Sequence, residues 1–446
     1  MVQIRTRFAP SPTGFLHIGG LRTALYSYAI AKHSNGDFIL RVEDTDQKRI
    51  VEGATLALQN ILKRFGLVWD EFYIQSERQK KGFYKRAADK LVQQGHAFYC
   101  QCKPKNAKEE GFSKQLRDSC RNKKFTSGAV KIKVPDNVAV SYFDFVHQKE
   151  ILWNTNDVYD ATLLKSDGFP TYHLAVVVDD LDMKITHILR GHDWLPSTPI
   201  HLLIFSYLSN RRPEIGHATD ILSGETGKKL SKRRDSVFVE EFLKEGYLPE
   251  ALLNFVMLLG WAPKDNREIF SLEEFVEAFD IKGFQDANPK FFIEKLDWMN
   301  GEYIRKSKVS NLKSQIFDFF EGGYDKDLIG KTLPLVKERI KKLSEFESLA
   351  GFFFERPKVD LKLFSGDYKK HLKVALGVLQ GLNSFDLESL NRKLMDSIKG
   401  NKFKTGDFFM ALRIAITGSR FTPPINESIL VLGRDEVVKR IKKVLK

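Results

Sequence analysis

The chain has 446 residues, 42% of them hydrophobic, and a formal net charge of +14 at pH 7. This length predicts about three domains, and three cysteines in so long a chain argue against a disulfide framework and indicate a reducing compartment. No apolar run approaches the ~20 residues of a membrane span. We therefore expect a cytoplasmic protein, and the basic charge favours nucleic acid as a partner. A basic surface without such a partner is the alternative that charge alone allows.

The first predicted elements are a strand, a glycine turn, a helix and a second strand. Gln3–Phe8 alternates as a strand does, and Phe38–Val42 is predicted as the next strand. Between them, apolar residues recur at helical spacing at Leu21, Ala24, Leu25, Tyr28 and Ala29. This order begins a doubly wound parallel sheet, whose ligands bind beyond the carboxyl ends of the strands. Arg7 and Glu43 lie at two such ends.

Two stretches far apart in the chain have the composition of phosphate-binding loops. His17-Ile18-Gly19-Gly20 lies where the first strand turns into the helix, so its backbone N–H groups can approach a phosphate closely. The second stretch begins at Gly227, and Lys228–Arg234 contains five cations in seven residues. Either stretch alone is compatible with an ordinary loop or a solvated basic surface. Together they predict ATP, bound for chemistry at its α-phosphate.

The first of these motifs also carries a resemblance to a known family. Arg7–Gly14, continuing to Gly20, resembles the ATP-binding segment of class I glutamyl-tRNA synthetases. Further blocks resemble that family in its own order: Arg41–Asp46, Gly168–Ala175, Val178–Asp180, Leu189–Gly191, Lys229–Arg233, Leu259–Trp261 and Leu296–Asn300. The resemblance implies an α/β fold, in which a class I Rossmann-like catalytic domain carries an inserted acceptor-binding domain and precedes an all-α anticodon-binding region.

The resemblance also implies five consecutive segments. They are the first half of the catalytic domain at 1–80, the inserted acceptor-binding domain at 81–170, the second catalytic half at 171–225, a stem-contact domain at 226–306 and a helical anticodon-binding domain at 307–446. Helical spacing in the last segment is clearest at Leu372, Ala375, Leu376, Leu379 and Leu382. Leu333-Pro334 and Pro423-Pro424 predict breaks between helices. In the inserted segment, the alternation of Val130–Val134 predicts a strand.

The implied reaction is the ATP-dependent attachment of glutamate to tRNA through a glutamyl adenylate. A carboxylate attacks the α-phosphorus of ATP and expels pyrophosphate, so positioning and preorganised donors supply most of the catalysis. The residues that the resemblance implies as catalytic are His17, Gly19, Lys229 and Lys232. Those implied in ATP binding are His17, Gly19, Gly20 and Lys232, and Mg²⁺ is expected to offset the remaining negative charge.

Glutamate carries two carboxylates and one ammonium, so its pocket needs cations and at least one acid. By resemblance, Arg7 and Arg190 bind the substrate, and a guanidinium fork suits bidentate contact with a carboxylate. Glu43 suits the α-ammonium, Tyr172 offers a hydroxyl, and Ser11 matches a further contact of the family. The sequence leaves open which arginine takes which carboxylate.

Three positions depart from the family pattern. Val176 stands where some relatives have an asparagine, and its side chain cannot hydrogen-bond a ligand. His192 stands where the family more often has an acid, and Arg234-Asp235 where many relatives have a glycine. We therefore expect differences of detail in the amino-acid pocket and in the closure of the second loop.

Three cysteines of the inserted segment resemble a zinc site of some relatives. Cys100, Cys102 and Cys120 match its sulfur ligands, but Leu116 and Asn122 occupy the positions at which those relatives have a tyrosine or a histidine. A structural zinc site normally has four ligands. We therefore expect no bound zinc, and Asp118 or a water is the substitute ligand that the sequence offers.

The implied partners are tRNA-Glu, or tRNA-Gln as well, and the basic residues of 103–124 suit contacts with phosphates. A glutaminyl-tRNA synthetase shares the fold and is the nearest alternative, although Ala9–Thr13 and Gly20–Thr23 are more similar to the glutamyl enzymes. The other alternative is a catalytically idle RNA-binding protein of the same fold, against which the intact site residues argue. No pattern predicts a coiled coil, and we expect a monomer. Because no apolar run is long enough for a membrane span, we expect no membrane association.

Overall fold

The computed structural model of the chain describes residues 3–103, 116–230 and 237–446. The chain divides into two compact units, one of Met1–Glu241 with Leu252–Ile293 and the other of Phe242–Ala251 with Glu294–Lys446. The finer division into five segments stays a prediction. None of the described helices has both the length and the apolar content that crossing a bilayer requires.

The first unit begins with a three-stranded parallel sheet. Its strands are β1 (Arg5–Phe8), β2 (Asp37–Val42) and β3 (Glu71–Ile74). The helices of this part are α1 (Ile18–His33), α2 (Ala54–Arg64), α3 (Gln75–Lys80) and α4 (Phe83–Gln93). The turn into β2 passes so close to the chain before β1 that a Cβ at Gly36 would collide with the carbonyl of Ile4. The strands and the helix predicted at the start of the chain are confirmed.

A small antiparallel sheet follows in the chain. Its strands are β4 (Ala97–Cys100), β5 (Ala129–Ile132) and β8 (Thr162–Leu164), with β5 in the middle. The predicted strand at Val130–Val134 is confirmed over its first part. Cys100 is the last residue of β4, so the sheet positions the first of the three cysteines.

A second sheet, with both parallel and antiparallel pairs, continues the nucleotide fold. Its strands are β6 (Ala139–Asp144), β7 (Lys149–Asn154), β9 (His187–Gly191) and β10 (Glu214–Ala218), in the order β7-β6-β10-β9. β10 is parallel to both of its neighbours, and β7 is antiparallel to β6. Thr186 N donates to Arg5 O at 2.9 Å, which brings the chain just before β9 beside β1. Helices α5 (Tyr172–Asp182) and α6 (Thr198–Leu208) pack against each other in the buried core beside these strands.

Short elements complete the connection to the helical part. β11 (Leu222–Ser223) pairs in parallel with β12 (Lys290–Phe291). The helices are α7 (Val239–Lys244), α8 (Pro249–Met257), α9 (Leu272–Ala278) and α10 (Ile293–Lys306). A capping box begins α9, because Ser271 Oγ accepts from Glu274 N while the Glu274 carboxylate accepts from Ser271 N.

The second unit is helical, as the sequence predicts for the end of the chain. Beyond α10 its helices are α11 (Val309–Phe319), α12 (Lys326–Val336), α13 (Glu345–Phe354), α14 (Tyr368–Gly381), α15 (Leu387–Gly400), α16 (Thr405–Thr417), α17 (Ile425–Leu432) and α18 (Arg434–Leu445). The apolar run that begins at Leu372 lies on α14, where Leu372, Ala375 and Leu379 are fully buried. Helices α14 to α18 share one apolar core.

One of the two predicted helix breaks is wrong. α12 continues through Pro334 to Val336 instead of ending before it. Pro334 lies in the last turn, so the proline ring removes only one hydrogen bond from a helix that is about to end. Pro423-Pro424 does separate two helices, and Pro424 caps the N-terminus of α17.

Candidate active site

A cleft of about 350 Å³ opens beyond the carboxyl ends of β1, β2, β9 and β10. It is the edge of a doubly wound sheet at which ligands bind. The lining contains nine of the residues that the sequence predicted: Arg7, Ser11, His17, Gly19, Gly20, Glu43, Tyr172, Arg190 and Lys229. Lys232, the remaining predicted site residue, lies outside the described residues. The two stretches that the sequence predicts to bind phosphate therefore meet in one cleft, at Gly19 and Lys229.

His17 is oriented by the backbone of the glycine turn. It caps α1, and its Nδ1 accepts a hydrogen bond from Gly19 N at 2.9 Å. Because Nδ1 accepts, the proton of the neutral ring is assigned to Nε2, which makes Nε2 a donor in the cleft. A Cβ at Gly19 would lie 3.2 Å from this Nδ1, so the missing side chain lets the ring and the turn approach closely.

Backbone hydrogen bonds hold the glycine turn against the chain that follows the second stretch. Ile18 N donates to Val237 O and Val239 N donates to Leu16 O, each at 2.9 Å. On the other side, Leu230 N donates to Ile221 O at 2.9 Å and Leu230 lines the cleft. The described residues on both sides of 231–236 are thus tied to the site.

Arg7 belongs to a buried charge network behind the cleft. Its Nε donates to Asp180 Oδ1 at 3.1 Å, and the same oxygen accepts from Arg41 Nη1 at 2.6 Å. Arg41 Nη2 also donates to Glu43 Oε1 at 3.0 Å. The side chains of Arg41 and Asp180 are 0% exposed. Asp180 therefore orients the side chain of Arg7, and Arg41 orients the carboxylate of Glu43.

The two carboxylates of this network respond differently to burial. Burial raises the pKa of Glu43 even though the charges of Arg41 and Arg7 oppose it. Burial acts in the same direction on Asp180, but there the charges of Arg41 and Arg7 outweigh it, so the pKa of Asp180 is lowered. Asp180 is therefore the acid that balances the guanidinium of Arg7.

Arg190 is surrounded by neutral acceptors. Its Nε donates to His217 Nε2 at 3.0 Å, and its Nη1 donates to His201 Nδ1 at 2.8 Å. Nη2 donates to Thr198 Oγ1 at 2.7 Å, and Tyr172 Oη lies 3.4 Å from Nη1. Within the described part of the chain, no carboxylate forms an ion pair with Arg190, although Arg190 is buried. Its charge is thus held in the cleft wall without a salt bridge to any acid of the described residues.

Both histidines are held neutral by their surroundings. Burial lowers the pKa of His217 to about 4, and the charge of Arg190 adds to this effect while Asp144 opposes it. Burial also lowers the pKa of His201 well below its usual value, again with Arg190 contributing. His217 Nδ1 lies 2.8 Å from Asp144 Oδ2, so this nitrogen holds the ring proton and Nε2 accepts from Arg190. Two bare ring nitrogens therefore face one guanidinium.

We expect the folded state to lose stability as the pH falls from 6.5 towards 4. As the pH falls, the His217 ring takes up a proton in the unfolded chain before it does so in the folded chain. Each unit of difference between the two pKa values lowers the free energy of unfolding by about 1.4 kcal/mol. His217→Gln should reduce the slope of unfolding free energy against pH, measured by urea unfolding at pH 7 and pH 5. It should not abolish the slope, since His201 contributes in the same direction. His33→Gln, on the exposed end of α1, is the control and should keep the original slope. An unchanged slope in His217→Gln would contradict the assignment.

Lys229 lies at the mouth of the cleft between two acids. Its Nζ is 2.7 Å from Asp193 Oδ1 and 2.8 Å from Asp220 Oδ1. Burial lowers the pKa of Lys229, but both carboxylates outweigh it and the pKa is raised. Lys229 is therefore a fixed cation, and an anion that binds beside it must share it with Asp193 and Asp220.

Sequence reasoning missed several residues of the site. Asp180 and Arg41 belong to motifs that the sequence singled out, yet only tertiary contacts reveal that they orient Arg7 and Glu43. Trp194 lines the cleft with its ring centroid 4.0 Å from that of Tyr172. Asp144, His201 and His217 stand in no local pattern that would mark them, because only tertiary contacts bring both rings to Arg190 and Asp144 to His217.

The three cysteines converge beside an acid. One potential ligand atom each from Cys100, Cys102, Asp118 and Cys120 lies within 4.8 Å of every other. Cys102 Sγ and Cys120 Sγ are 3.4 Å apart, and Asp118 Oδ2 also pairs with Lys131 Nζ at 3.1 Å. Burial raises the pKa of the Cys100 thiol to about 12. Asp118, which the sequence offered as a substitute ligand, thus lies beside all three sulfurs.

Comparison with protein families extends the resemblance to the whole chain. Residues 3–298 match the family described as tRNA synthetases class I (E and Q), catalytic domain. Residues 296–445 match the family described as anticodon binding domain. The two matches meet near residue 296, so they account for almost the full length.

Individual relatives are similar to this chain in sequence and in structure. A protein of Dehalococcoides mccartyi named glutamate–tRNA ligase is 37% identical over 474 residues, covering 98% of this chain and 97% of the relative. A protein of the same name from Aquifex aeolicus is 39% identical over 473 residues, covering 100% and 99%. The crystal structure of a glutamate tRNA ligase from Elizabethkingia meningosepticum, in complex with its amino acid, aligns with a TM-score of 0.86 at 29% identity, covering 100% of this chain and 99% of that one.

Proposed function

Because the chain belongs to the class I tRNA synthetases described as E and Q, we propose that it attaches glutamate to tRNA at the expense of ATP. The observation that carries this proposal is the single cleft that contains nine of the predicted site residues. The reaction has two steps. A glutamate carboxylate attacks the α-phosphorus of ATP and expels pyrophosphate, and a hydroxyl of the terminal adenosine of tRNA then attacks the glutamyl carbonyl and releases AMP.

We assign the amino-acid subsite to Arg7, Glu43, Tyr172 and Arg190, with Ser11 at its edge. The guanidinium of Arg190 has only neutral acceptors around it among the described residues, so a substrate carboxylate would supply the missing negative charge. The guanidinium of Arg7 is already balanced by Asp180. Arg190 is therefore the better partner for the carboxylate that stays intact during the reaction, and Glu43 suits the α-ammonium.

We assign the ATP subsite to His17, Gly19 and Gly20, with Lys229 and Lys232 of the second stretch. The Nε2–H of His17 and the N-terminus of α1 offer donors to phosphate oxygens, on which negative charge builds as pyrophosphate leaves. Lys232 would add a cation whose effect is greatest in that charged state. Mg²⁺ would offset the charge that remains on the triphosphate, since the cleft also contains Asp193 and Asp220.

The decisive experiment measures charging by the full chain. Purified protein, ATP and Mg²⁺ are incubated with tRNA-Glu or tRNA-Gln, and with either glutamate or glutamine. We expect glutamate to be attached to tRNA-Glu. The assay with tRNA-Gln shows whether the protein also accepts that tRNA. Use of glutamine alone would identify a glutaminyl enzyme, and absence of all charging would favour the idle RNA-binding alternative.

We expect Lys232→Ala to lower kcat for glutamyl-adenylate formation by about 100-fold, the effect of removing one preorganised donor from a developing negative charge. Pyrophosphate exchange in the presence of tRNA measures this step. Lys244→Ala, at the end of α7, is the control and should leave the rate unchanged. A Lys232→Ala rate within twofold of the original would remove Lys232 from the catalytic set.

We propose, against the expectation from the sequence, that Cys100, Cys102, Asp118 and Cys120 hold one structural zinc ion. Tetrahedral zinc with sulfur ligands about 2.3 Å away separates its ligand atoms by about 3.8 Å, and the four donors lie within 4.8 Å of one another. Protein purified without chelator should contain near one zinc per chain, and Cys120→Ser should reduce this to a small fraction. Less than a tenth of an equivalent in the unaltered protein would restore the original expectation.

We further propose that the protein works as a monomer in the cytoplasm, where its substrates are present and its thiols stay reduced. Size-exclusion chromatography with light scattering tests the first statement. A mass near that of one 51.3 kDa chain is expected, and a mass of two chains would contradict it.

A further inference from the structure

The neutral surroundings of Arg190 require an explanation of their own. A buried guanidinium is normally neutralised by a carboxylate, and Arg7 and Arg41 both have one. Arg190 instead meets ring nitrogens and hydroxyls, and the carboxylate of Asp144 contacts one of these rings, that of His217. The carboxylate of Asp144 thus orients the ring of His217 but does not contact Arg190.

The orientation of the His217 ring depends on Asp144. Asp144 Oδ2 lies 2.8 Å from His217 Nδ1, and Tyr142 Oη donates to the same oxygen at 2.8 Å. Asp144 Oδ1 accepts from the backbone N–H groups of Val146 and His147, at 3.0 and 3.1 Å. Both Asp144 and His217 are 0% exposed. With these bonds the carboxylate requires the ring proton on Nδ1, which leaves Nε2 as an acceptor.

We propose that His217 and Asp144 are positioning residues for the amino acid, which hold Arg190 through a bare ring nitrogen and keep its charge for the substrate carboxylate. This inference rests on the proposed function, because it takes Arg190 to bind glutamate. A carboxylate in direct contact with Arg190 would also orient it, but it would compete with the substrate for the same N–H groups. The neutral ring occupies one N–H group, at Nε, and leaves the positive charge of the guanidinium for the substrate.

The proton position separates this role from simple packing. In Asp144→Asn the amide can donate to His217 Nδ1, so the ring proton moves to Nε2 and meets Arg190 Nε–H. This change of tautomer leaves the ring of His217 in place but removes the acceptor at its Nε2. In His217→Gln the side-chain oxygen can replace Nε2 as the acceptor, and its role no longer depends on Asp144.

The experiment is a double-mutant cycle on the full chain in the presence of tRNA. KM for glutamate and KM for ATP are measured by pyrophosphate exchange for Asp144→Asn, His217→Gln, His217→Leu and the double variant Asp144→Asn with His217→Gln. We expect Asp144→Asn and His217→Leu to raise KM for glutamate roughly ten- to hundredfold, the effect of an unsatisfied buried donor. KM for ATP should stay within about threefold.

His217→Gln should recover most of the glutamate affinity, and adding Asp144→Asn to it should change KM for glutamate little, which is the non-additivity expected of a relay. His187→Gln, on the same strand as Arg190, is the matched control and should behave as the unaltered protein. Urea unfolding of each variant identifies loss of folded protein.

The outcomes separate the inference from the function on which it rests. If the unaltered chain charges no tRNA with glutamate, the proposed function fails. If it does, and the Asp144 and His217 variants alter KM for glutamate and KM for ATP equally or not at all, the inference fails alone. Strict additivity of Asp144→Asn and His217→Gln would also overturn it.

Discussion

Arg190→Ala is expected to lower kcat/KM for glutamate by roughly 10³-fold, the larger part of it through KM. Removing one partner of a buried, hydrogen-bonded charge pair costs about 2–5 kcal/mol, which corresponds to about 30- to 5000-fold. We place Arg190 in the upper part of this range, because among the described residues it forms no ion pair with an acid and the substrate carboxylate would be its counter-ion. Pyrophosphate exchange with tRNA present, over a range of glutamate concentrations, gives both parameters.

Two further variants make this expectation specific. Arg190→Lys keeps the charge but loses the planar fork that reaches three acceptors at once, so it should recover only a small part of the activity. Arg211→Ala removes an exposed arginine away from the cleft and should leave kcat/KM unchanged. If Arg190→Ala kept a KM for glutamate within threefold of the original value, Arg190 would not be the carboxylate partner.

Asp180→Asn is expected to lower the free energy of unfolding by about 3–5 kcal/mol, the effect of breaking a buried ion pair by removing one partner. Asp180 accepts from both Arg7 and Arg41, and the side chains of Asp180 and Arg41 are fully buried. The amide keeps the shape of the carboxylate but leaves the two guanidinium groups without its charge. Urea unfolding at pH 7 measures the change.

The same helix provides a matched control for this expectation. Asp182 pairs with Arg78 at 2.7 Å, but its side chain is 48% exposed. Asp182→Asn should therefore change the unfolding free energy by less than about 1 kcal/mol. Equal effects of the two variants would show that burial of the Asp180 pair does not set its strength. A small effect of Asp180→Asn alone would indicate that Glu43 compensates for the lost charge.

The parts of this molecule that could be predicted are those whose signals are local. Strand alternation, helical spacing and the run from Arg7 to Gly20 lie within short windows, and the structure confirms the elements that they indicated. The convergence of His17 and Lys229 in one cleft was also predictable, because the two stretches together have the chemistry of a polyphosphate site.

What could not be predicted depends on contacts between distant residues. Asp144 and His217 are 73 positions apart and meet only because β6 and β10 are neighbours. Pro334 was misjudged because a proline late in a helix removes little, and the end of α12 is set by packing as well as by local sequence. The sequence offered Asp118 as a substitute ligand, but only the fold shows that it lies beside all three sulfurs.

The pairing of β6 with β10 limits how the chain can be shortened. The segment at 81–170 resembles an addition that could be excised to obtain a minimal nucleotide-binding core. β6 and β7 lie inside that segment, yet they belong to the same sheet as β9 and β10 and bring Asp144 beside His217. A deletion that closes the chain between residues 81 and 170 would remove β6, one of the two neighbours of β10, whereas one that spares residues 139–154 keeps both. A compact variant should therefore be made by deleting residues of the smaller antiparallel sheet of β4, β5 and β8. The hairpin of β6 and β7 should be left in place.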